Sequence, residues 1–349
     1  MPHSPRLPAF VPEQVAAYRT AELIVQPVCR FEPAAVSALR DGRQVLSVDI
    51  GGDKIRSARY RIRGGLLTRV DERETQSRGG AGYLVILEGL AREAEREDLP
   101  VGISSATKMD GSVIARTVNL PAFRDEMRAR HGGDYARVFP GRCFVANDTV
   151  AGICGAATLL AQRGEPAEHV GFIICASGMG GAVIVDGAAT HVEVAHVPLA
   201  GALNPLGQTT PCGVEGRAYV CVERVAAARA GIEDLWRQRT GEAVDGRELG
   251  RRYEAGDELA TVLYGISALA VAHAVVGLAE RYRFPDGGVV VLHGGNFEIA
   301  RYRDAVTRCL SGMPGRQPRL VFSRDHSANV CLDGAAILGL LRPERVQAT

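Results

Sequence analysis

Asp49, Gly51, Gly52, Asp53 and Lys54 stand together where the apolar run VLSVDI ends. Glycines at such a place let backbone N–H groups reach phosphate oxygens, because no Cβ intervenes. A carboxylate at a strand end can hold Mg²⁺ through water, and a lysine can offset phosphate charge. The same residues also suit a plain β-hairpin turn of the Asp-Gly type. A second glycine turn, Ser177-Gly178-Met179-Gly180-Gly181, again separates two apolar runs. Two such turns fit one nucleotide held between two lobes better than either turn alone does. A third, His293-Gly294-Gly295-Asn296 after VVVL, would let a base or ribose lie against the backbone, and equally makes an ordinary strand-to-helix loop. Asn147-Asp148 follows FVA at the start of a helical pattern. A carboxylate there can take a proton from an alcohol, since phosphoryl transfer asks the protein for a base, positioning and charge neutralisation. Helix capping is the competing use of the same pair.

These clusters need elements to hold them. VLSVDI reads as a short buried strand, KIRSARYRIR alternates with Ala58, Tyr60 and Ile62 on one face, and LLTRVDERET returns after Gly64-Gly65. A helix over Tyr83 to Glu97 follows, then the strands VGISSA and SVIARTV and a helix around Phe123 to Arg130. A second cycle starts at RCFVAND, passes through the helix TVAGICGAATLLAQ and reaches the strands HVGFIICA and AVIVDG. The strand–glycine turn–strand unit thus occurs twice, over 45–62 and 169–187, which points to an internal structural duplication. His191 to Gly216 is irregular and helices run on to about Arg283. The chain closes through VVVLHGG, a helix over Ala300 to Leu310, RLVFSR and the helix GAAILGLL. The sum is an α/β chain of two lobes. The expected division is an extension over 1–40, one lobe over 41–148 plus 330–349, and a second over 149–329. In the extension, PEQVAAYRTAELIV reads as a helix with Pro12 in its first turn.

The bulk numbers exclude several classes. A length of 349 residues allows two cores. A net charge of +1 with 23% charged residues leaves no basic excess for nucleic acid and no acidic tail. Six of the eight cysteines (Cys29, Cys143, Cys154, Cys175, Cys309 and Cys331) lie within or beside apolar runs, so they read as buried hydrophobes in a reducing cytoplasm rather than a disulfide framework. MPHSPRLPAF lacks the basic start and long apolar core of a signal peptide. Val262 to Ala279 approaches membrane-spanning length, but His273, its small residues and its charged flanks read as a helix buried in a soluble core.

In their joint order the clusters resemble the ROK family, named for repressors, open reading frames and kinases. DIGGDK is similar to the family's first phosphate motif, usually DIGGTK, and ISSATKMDG with NLPAF to its substrate-side segment. VANDTVAG resembles the catalytic block, ASGMGGAVIVDG the second phosphate loop, VVVLHGGN the adenosine segment and DGAAILG the C-terminal helix, so the likeness runs over about 45–342. The resemblance implies a two-lobed actin-like/hexokinase-like (ribonuclease H-like) α/β fold with a duplicated βββαβα core. It implies an ATP-dependent, Mg²⁺-using phosphotransferase acting on a hydroxyl of a small polyol, and a homodimer. Asp148 would be the general base and Asp49 the Mg²⁺-side carboxylate. Gly51, Gly52, Asp53, Lys54, Ser177, Gly178, Gly180, Gly181, Gly294 and Gly295 would surround ATP. Asn119, Asn147, Asp148, Glu193, His196 and Glu223 would hold the substrate.

The departures from the family pattern matter. Glu193-Val194-Ala195-His196 has alanine where the family's E-x-G-H element has glycine. The family then carries C-x-C-G-x-x-G-C-x-E, a structural zinc site with three thiolates. Here Thr210 and Arg217 replace two thiolates in an ungapped reading, and Cys221-Val222-Glu223 restores the final C-x-E only across four inserted residues. His196, Cys212 and Cys221 make three ligands where structural zinc takes four, so no family-type zinc site is expected. Asp53 replaces a threonine that can donate to phosphate, and a carboxylate 4 Å from a phosphate charge would cost about 4 kcal/mol at an effective dielectric of about 20.

Two other readings compete. A ROK-type regulator would carry a DNA-binding module in front, whereas about 40 residues with four Arg and three Glu precede the first strand. A catalytically weak sugar-binding relative is the other, suggested by Asp53 and the broken cysteine motif. Hexoses and N-acetyl hexosamines are the family's substrates. The divergence and Ala/Arg-rich composition also resemble a branch acting on C7-cyclitols such as valienol or valiolone.

Overall fold

The computed structural model describes residues 10–21, 25–52, 54–76, 80, 82–117, 120–214, 216–315 and 317–345. In chain order the elements are α1 (Pro12–Thr20), β1 (Val25–Arg30), β2 (Gln44–Ile50), β3 (Lys54–Arg63), β4 (Leu66–Gln76), α2 (Tyr83–Arg96), β5 (Val101–Ser105), β6 (Lys108–Asp110), β7 (Val113–Arg116), α3 (Pro121–His131), α4 (Tyr135–Val138), β8 (Cys143–Asn147) and α5 (Asp148–Gln162). There follow β9 (Val170–Cys175), β10 (Met179–Val185), β11 (Ala188–Val192), α6 (Glu223–Ala226), α7 (Asp234–Thr240), α8 (Gly246–Glu254), α9 (Glu258–Arg281), β12 (Val289–His293), α10 (Ala300–Ser311), β13 (Arg319–Phe322) and α11 (Val330–Leu341).

One sheet has the order β4-β3-β2-β5-β8, the other β1-β11-β10-β9-β12-β13. Taken from the first strand of each set, both run third, second, first, fourth, fifth, with β1 added at one edge. The sequence duplication is therefore a duplication of topology, and each βββαβα copy is extended by a further strand and helix. Within the first sheet β2 is antiparallel to β3 but parallel to β5, and β5 is parallel to β8. A parallel strand needs a crossover, which α2 supplies between β4 and β5. The register of β3 against β4 shifts between Arg59 and Tyr60, next to the point where the buried face of β3 changes phase from Ser57 to Ala58.

The chain forms two compact units. One comprises Gln26–Glu168, Val183–His191 and the described part of His326–Thr349. Its centre is a seam of small residues. A Cβ on Gly155 would lie 2.3 Å from Val330 O, one on Gly334 1.7 Å from Ala151 O, and one on Gly102 1.7 Å from Ala335 O. Backbone-to-backbone contact of α5 with α11, and of α11 with β5, is thus open only to glycine, which explains AGICGAA and DGAAILG physically. The seam ties α5 into this unit, which runs on to Glu168.

The other unit comprises the described parts of Met1–Val25, His169–Ala182 and Val192–Asp325. Its core is α9, long and apolar enough to cross a membrane by composition, with 89% of its apolar window buried. The N-terminal helix α1 docks on it. Tyr18 lies over Gly277, where a Cβ would come within 2.4 Å of the ring, the Phe10 ring stacks on His273, and Val11 N donates to His273 Nε2 at 2.9 Å. Burial lowers the His273 pKa, against the hydrogen bond that its Nδ1 donates to Leu269 O at 2.8 Å. Helix α1 ends at Thr20, short of the expected reach through Val25, because Val25–Arg30 pairs at the open edge of β11 instead. That edge is made by residues some 160 positions away, so no local propensity could reveal it.

Candidate active site

Asp49 sits one residue before the end of β2, opposite Arg56 of β3 and Ser104 of β5. Its Oδ1 accepts a hydrogen bond from Ser104 Oγ at 2.7 Å, and its Oδ2 one from Asn329 Nδ2 at 2.9 Å. Asn329 is the N-cap of α11, its Oδ1 accepting from Cys331 N and Leu332 N at 3.1 Å. Two elements thus clamp the carboxylate, while each oxygen keeps a further acceptor position. That is the donor chemistry Mg²⁺ takes through water, so the residues fit the ion. Gly51 N donates to Lys54 O at 2.9 Å, closing the turn, and Lys54 Nζ lies 3.6 Å from Glu74 Oε2. Gly52 is in the bend between them, whereas Asp53 lies outside the described residues.

Asn147 ends β8 and caps α5, whose first residue is Asp148. Asn147 Oδ1 accepts from Thr149 N at 3.0 Å and from Thr149 Oγ1 at 2.6 Å. Its Nδ2 donates to Thr107 O at 3.1 Å and to Ser105 O at 3.4 Å. Asp148 Oδ1 accepts from Thr149 N at 2.9 Å. The capping expected of this pair is therefore real, and Asp148 also meets the positive end of the α5 dipole. Asp49 and Asp148 share a neighbourhood: after burial itself, the charges of Asp49, Asp148 and Asp333 push the Cys331 thiol well above its ordinary pKa. Asn119 lies outside the described residues.

In the other unit, Ser177-Gly178-Met179-Gly180-Gly181 makes a tight turn, with Ala176 N donating to Gly178 O at 2.8 Å. The turn is anchored by Ala228 N on Ala176 O at 2.8 Å, Ala230 N on Ser177 O at 3.2 Å, and Met179 N on Glu223 Oε1 at 3.1 Å. Gly181 has a packing reason, since a Cβ would lie 2.8 Å from Val194. Gly294, at φ +135°, has another: a Cβ would lie 2.0 Å from Cys175 O. Gly295 meets nothing within 4 Å at that position.

The gapped reading of the cysteine motif is the one the fold adopts. His196 Nδ1 lies 3.5 Å from Cys212 Sγ, 3.9 Å from Cys221 Sγ and 3.9 Å from Glu223 Oε2, while its Nε2 lies 3.5 Å from Glu193 Oε2. Burial, then Cys212 and Glu223, push the Cys221 thiol up to about 12. The ligand atoms of His196, Cys212 and Cys221 all fall within 4.8 Å of one another. Tetrahedral zinc spaces a thiolate and an imidazole nitrogen about 3.6 Å apart, so these three fit three corners of a zinc site. The fourth is not supplied by Thr210, whose Oγ1 donates to Asp234 Oδ2 at 2.9 Å. The loop carrying His196 is pinned by α1: buried Gln14 donates through Nε2 to Pro198 O at 3.1 Å and accepts from Ala200 N at 2.8 Å.

Sequence reasoning missed Ser104, Asn329, Thr149, His191 and Gln14. Polar residues inside an apolar run were a signal for Ser104; Thr149 lies beside Asn147 in the cap, and His191, Gln14 and Asn329 pair with Thr149, Pro198 and Asp49, which lie 42, 184 and 280 positions away.

A doubly repeated sheet with a glycine turn after the first strand of each copy, and carboxylates at strand ends, defines a hexokinase-like two-lobed α/β protein. The chain belongs to the ROK family, whose sequence profile matches residues 45–341. Among solved structures it is similar to the ROK hexokinase of Thermus thermophilus, at 26% identity, TM-score 0.58, covering 86% of this chain and 98% of that one. A ROK family glucokinase from Streptomyces griseus, in complex with glucose and AMPPNP, shares the fold at 19% identity and TM-score 0.59, over 84% and 98%. A ROK family transcriptional regulator, homologous to the Escherichia coli MLC protein, shares it too at 17% identity and TM-score 0.55, over 95% and 89%. No curated protein matches the chain.

Proposed function

We propose that this chain is a Mg-ATP-dependent kinase that phosphorylates a hydroxyl of a sugar or a sugar-like cyclitol, acting in the cytoplasm as a homodimer. The observation that carries the reading is Asp148, placed at the N-terminus of α5 in the neighbourhood of a clamped Asp49. The α5 dipole favours a charged Asp148 carboxylate, ready to accept the proton of the substrate hydroxyl as that oxygen bonds to phosphorus. Asp49 would hold Mg²⁺ through water, and the bound ion supplies neutralising charge at the phosphate oxygens. Backbone N–H groups of the Ser177–Gly181 turn would face phosphate, and the Gly294-Gly295 segment the nucleoside. Glu193, His196 and Glu223, gathered within 4 Å of one imidazole, would accept from and donate to substrate hydroxyls.

ADP release with Mg-ATP across hexoses, N-acetyl hexosamines and cyclitols tests the reading, with Asp148→Asn beside the wild type. Turnover on one panel member should fall 10²- to 10⁴-fold in the variant, the usual worth of a general base. Absence of turnover on every member, with binding still measurable by calorimetry, would replace the kinase by a sugar-binding or regulatory protein.

A further inference from the structure

Asn147 has two acceptor and two donor positions on its amide, and the protein uses all four. The orientation of the amide follows, because the carbonyls of Ser105 and Thr107 require the NH₂ and the N–H of Thr149 requires the oxygen. That fixes the protons beyond it. Thr149 Oγ1 sends its one proton to Asn147 Oδ1 at 2.6 Å, so its 2.9 Å contact with His191 Nδ1 must be donated by the imidazole. Thr149 and His191 are buried, at 1% and 8% exposure. The chain of bonds runs from the β5 end through the α5 cap to β11, within one compact unit.

We infer that Asn147, Thr149 and His191 form a bracket that positions Asp148. The inference rests on the reading of Asp148 as the general base. Asp148 is covalently next to both capping partners and shares the Thr149 N–H with Asn147. A shift of the cap therefore moves the carboxylate directly. His191 holds the Thr149 hydroxyl in the rotamer that serves Asn147.

Two measurements test this. Imidazole ¹⁵N NMR of the wild-type protein, at a pH where the ring is neutral, should show His191 protonated on Nδ1, and Thr149→Val should move it to the Nε2–H tautomer. Steady-state kinetics of Thr149→Val and His191→Ala should show kcat down about tenfold, the effect of one lost buried hydrogen bond, with the polyol KM within about twofold. Thr149→Ser and His191→Asn, which keep the hydroxyl and a donor near Nδ1, should recover most of kcat. A wild-type Nε2–H tautomer, or a rise in KM at constant kcat, would overturn the bracket. A wild type without turnover would instead overturn the kinase reading, and with it the catalytic purpose of the bracket, while the tautomer still decides whether the bracket exists.

Discussion

Asn329 is where the Asp49 carboxylate, proposed to face the nucleotide, can be disturbed from outside its own strand. Its side chain does two jobs, capping α11 through Oδ1 and donating to Asp49 Oδ2 at 2.9 Å through Nδ2. Substitutions separate them. Asn329→Ser keeps a capping oxygen and loses the donor, costing about 1.5–3 kcal/mol for a hydrogen bond to a charged group. Asn329→Ala loses the cap as well, adding about 1 kcal/mol. Asn329→Asp keeps the cap, and even improves it beside the helix dipole, but sets a second carboxylate against Asp49. Two charges at that distance repel by about 6 kcal/mol at an effective dielectric of about 20, less the screening by solvent that reaches half-buried Asp49. If Asp49 is a clamped carboxylate, the better cap should be the less stable protein. Urea unfolding at pH 7 should rank the wild type above Ser, with Ala and Asp both below Ser. The Mg-ATP KM should rise in all three, most in Asp, with polyol KM little changed. An Asp variant as stable as the Ser variant, with unchanged Mg-ATP KM, would refute the assignment of Asp49 as the clamped carboxylate of the nucleotide side.

The cysteine cluster should bind zinc through three protein donors and release it to a chelator, and Thr210→Cys should slow the release. Cobalt substitution checks this, since thiolate-to-cobalt absorption should appear in the wild type and fade in Cys212→Ser and Cys221→Ser. No such absorption would count against a metal role. Gln14→Ala removes both ties to the Pro198–Ala200 segment and should cost about 1–3 kcal/mol, with the first proteolytic cut of the native protein moving to the His196–Gly201 region. An unchanged digest would show that the loop holds itself. Asp53→Thr should raise ATP affinity if the carboxylate repels phosphate, measured by nucleotide titration; an unchanged or weaker affinity would dismiss that repulsion.

Much of the molecule was legible in the residues because its information is local. Glycine turns after apolar runs, the Asn147-Asp148 pair at a strand–helix junction and the repeated strand–turn–strand unit all declare themselves within a few positions. Strand and helix periodicity then follows from side-chain alternation, and the fold class from their order. The small-residue helices could be read as helices but not as a seam. Gly155, Gly334 and Gly102 are required by backbones that meet only after the chain has returned from residue 330.

What tertiary structure alone decided is the polar partners. Asp49 is held by a residue 280 positions away, Thr149 meets His191 across 42, and Gln14 reaches Pro198 across 184. The four-residue gap that returns Cys221 and Glu223 to His196 was one of two possible alignments in the sequence, and folding selects it. The end of α1 and the start of β1 likewise depend on a sheet edge built elsewhere. A hydrogen bond is specified by two groups at about 3 Å. Residue types limit which groups can pair; only the packed backbone brings the chosen ones within that distance.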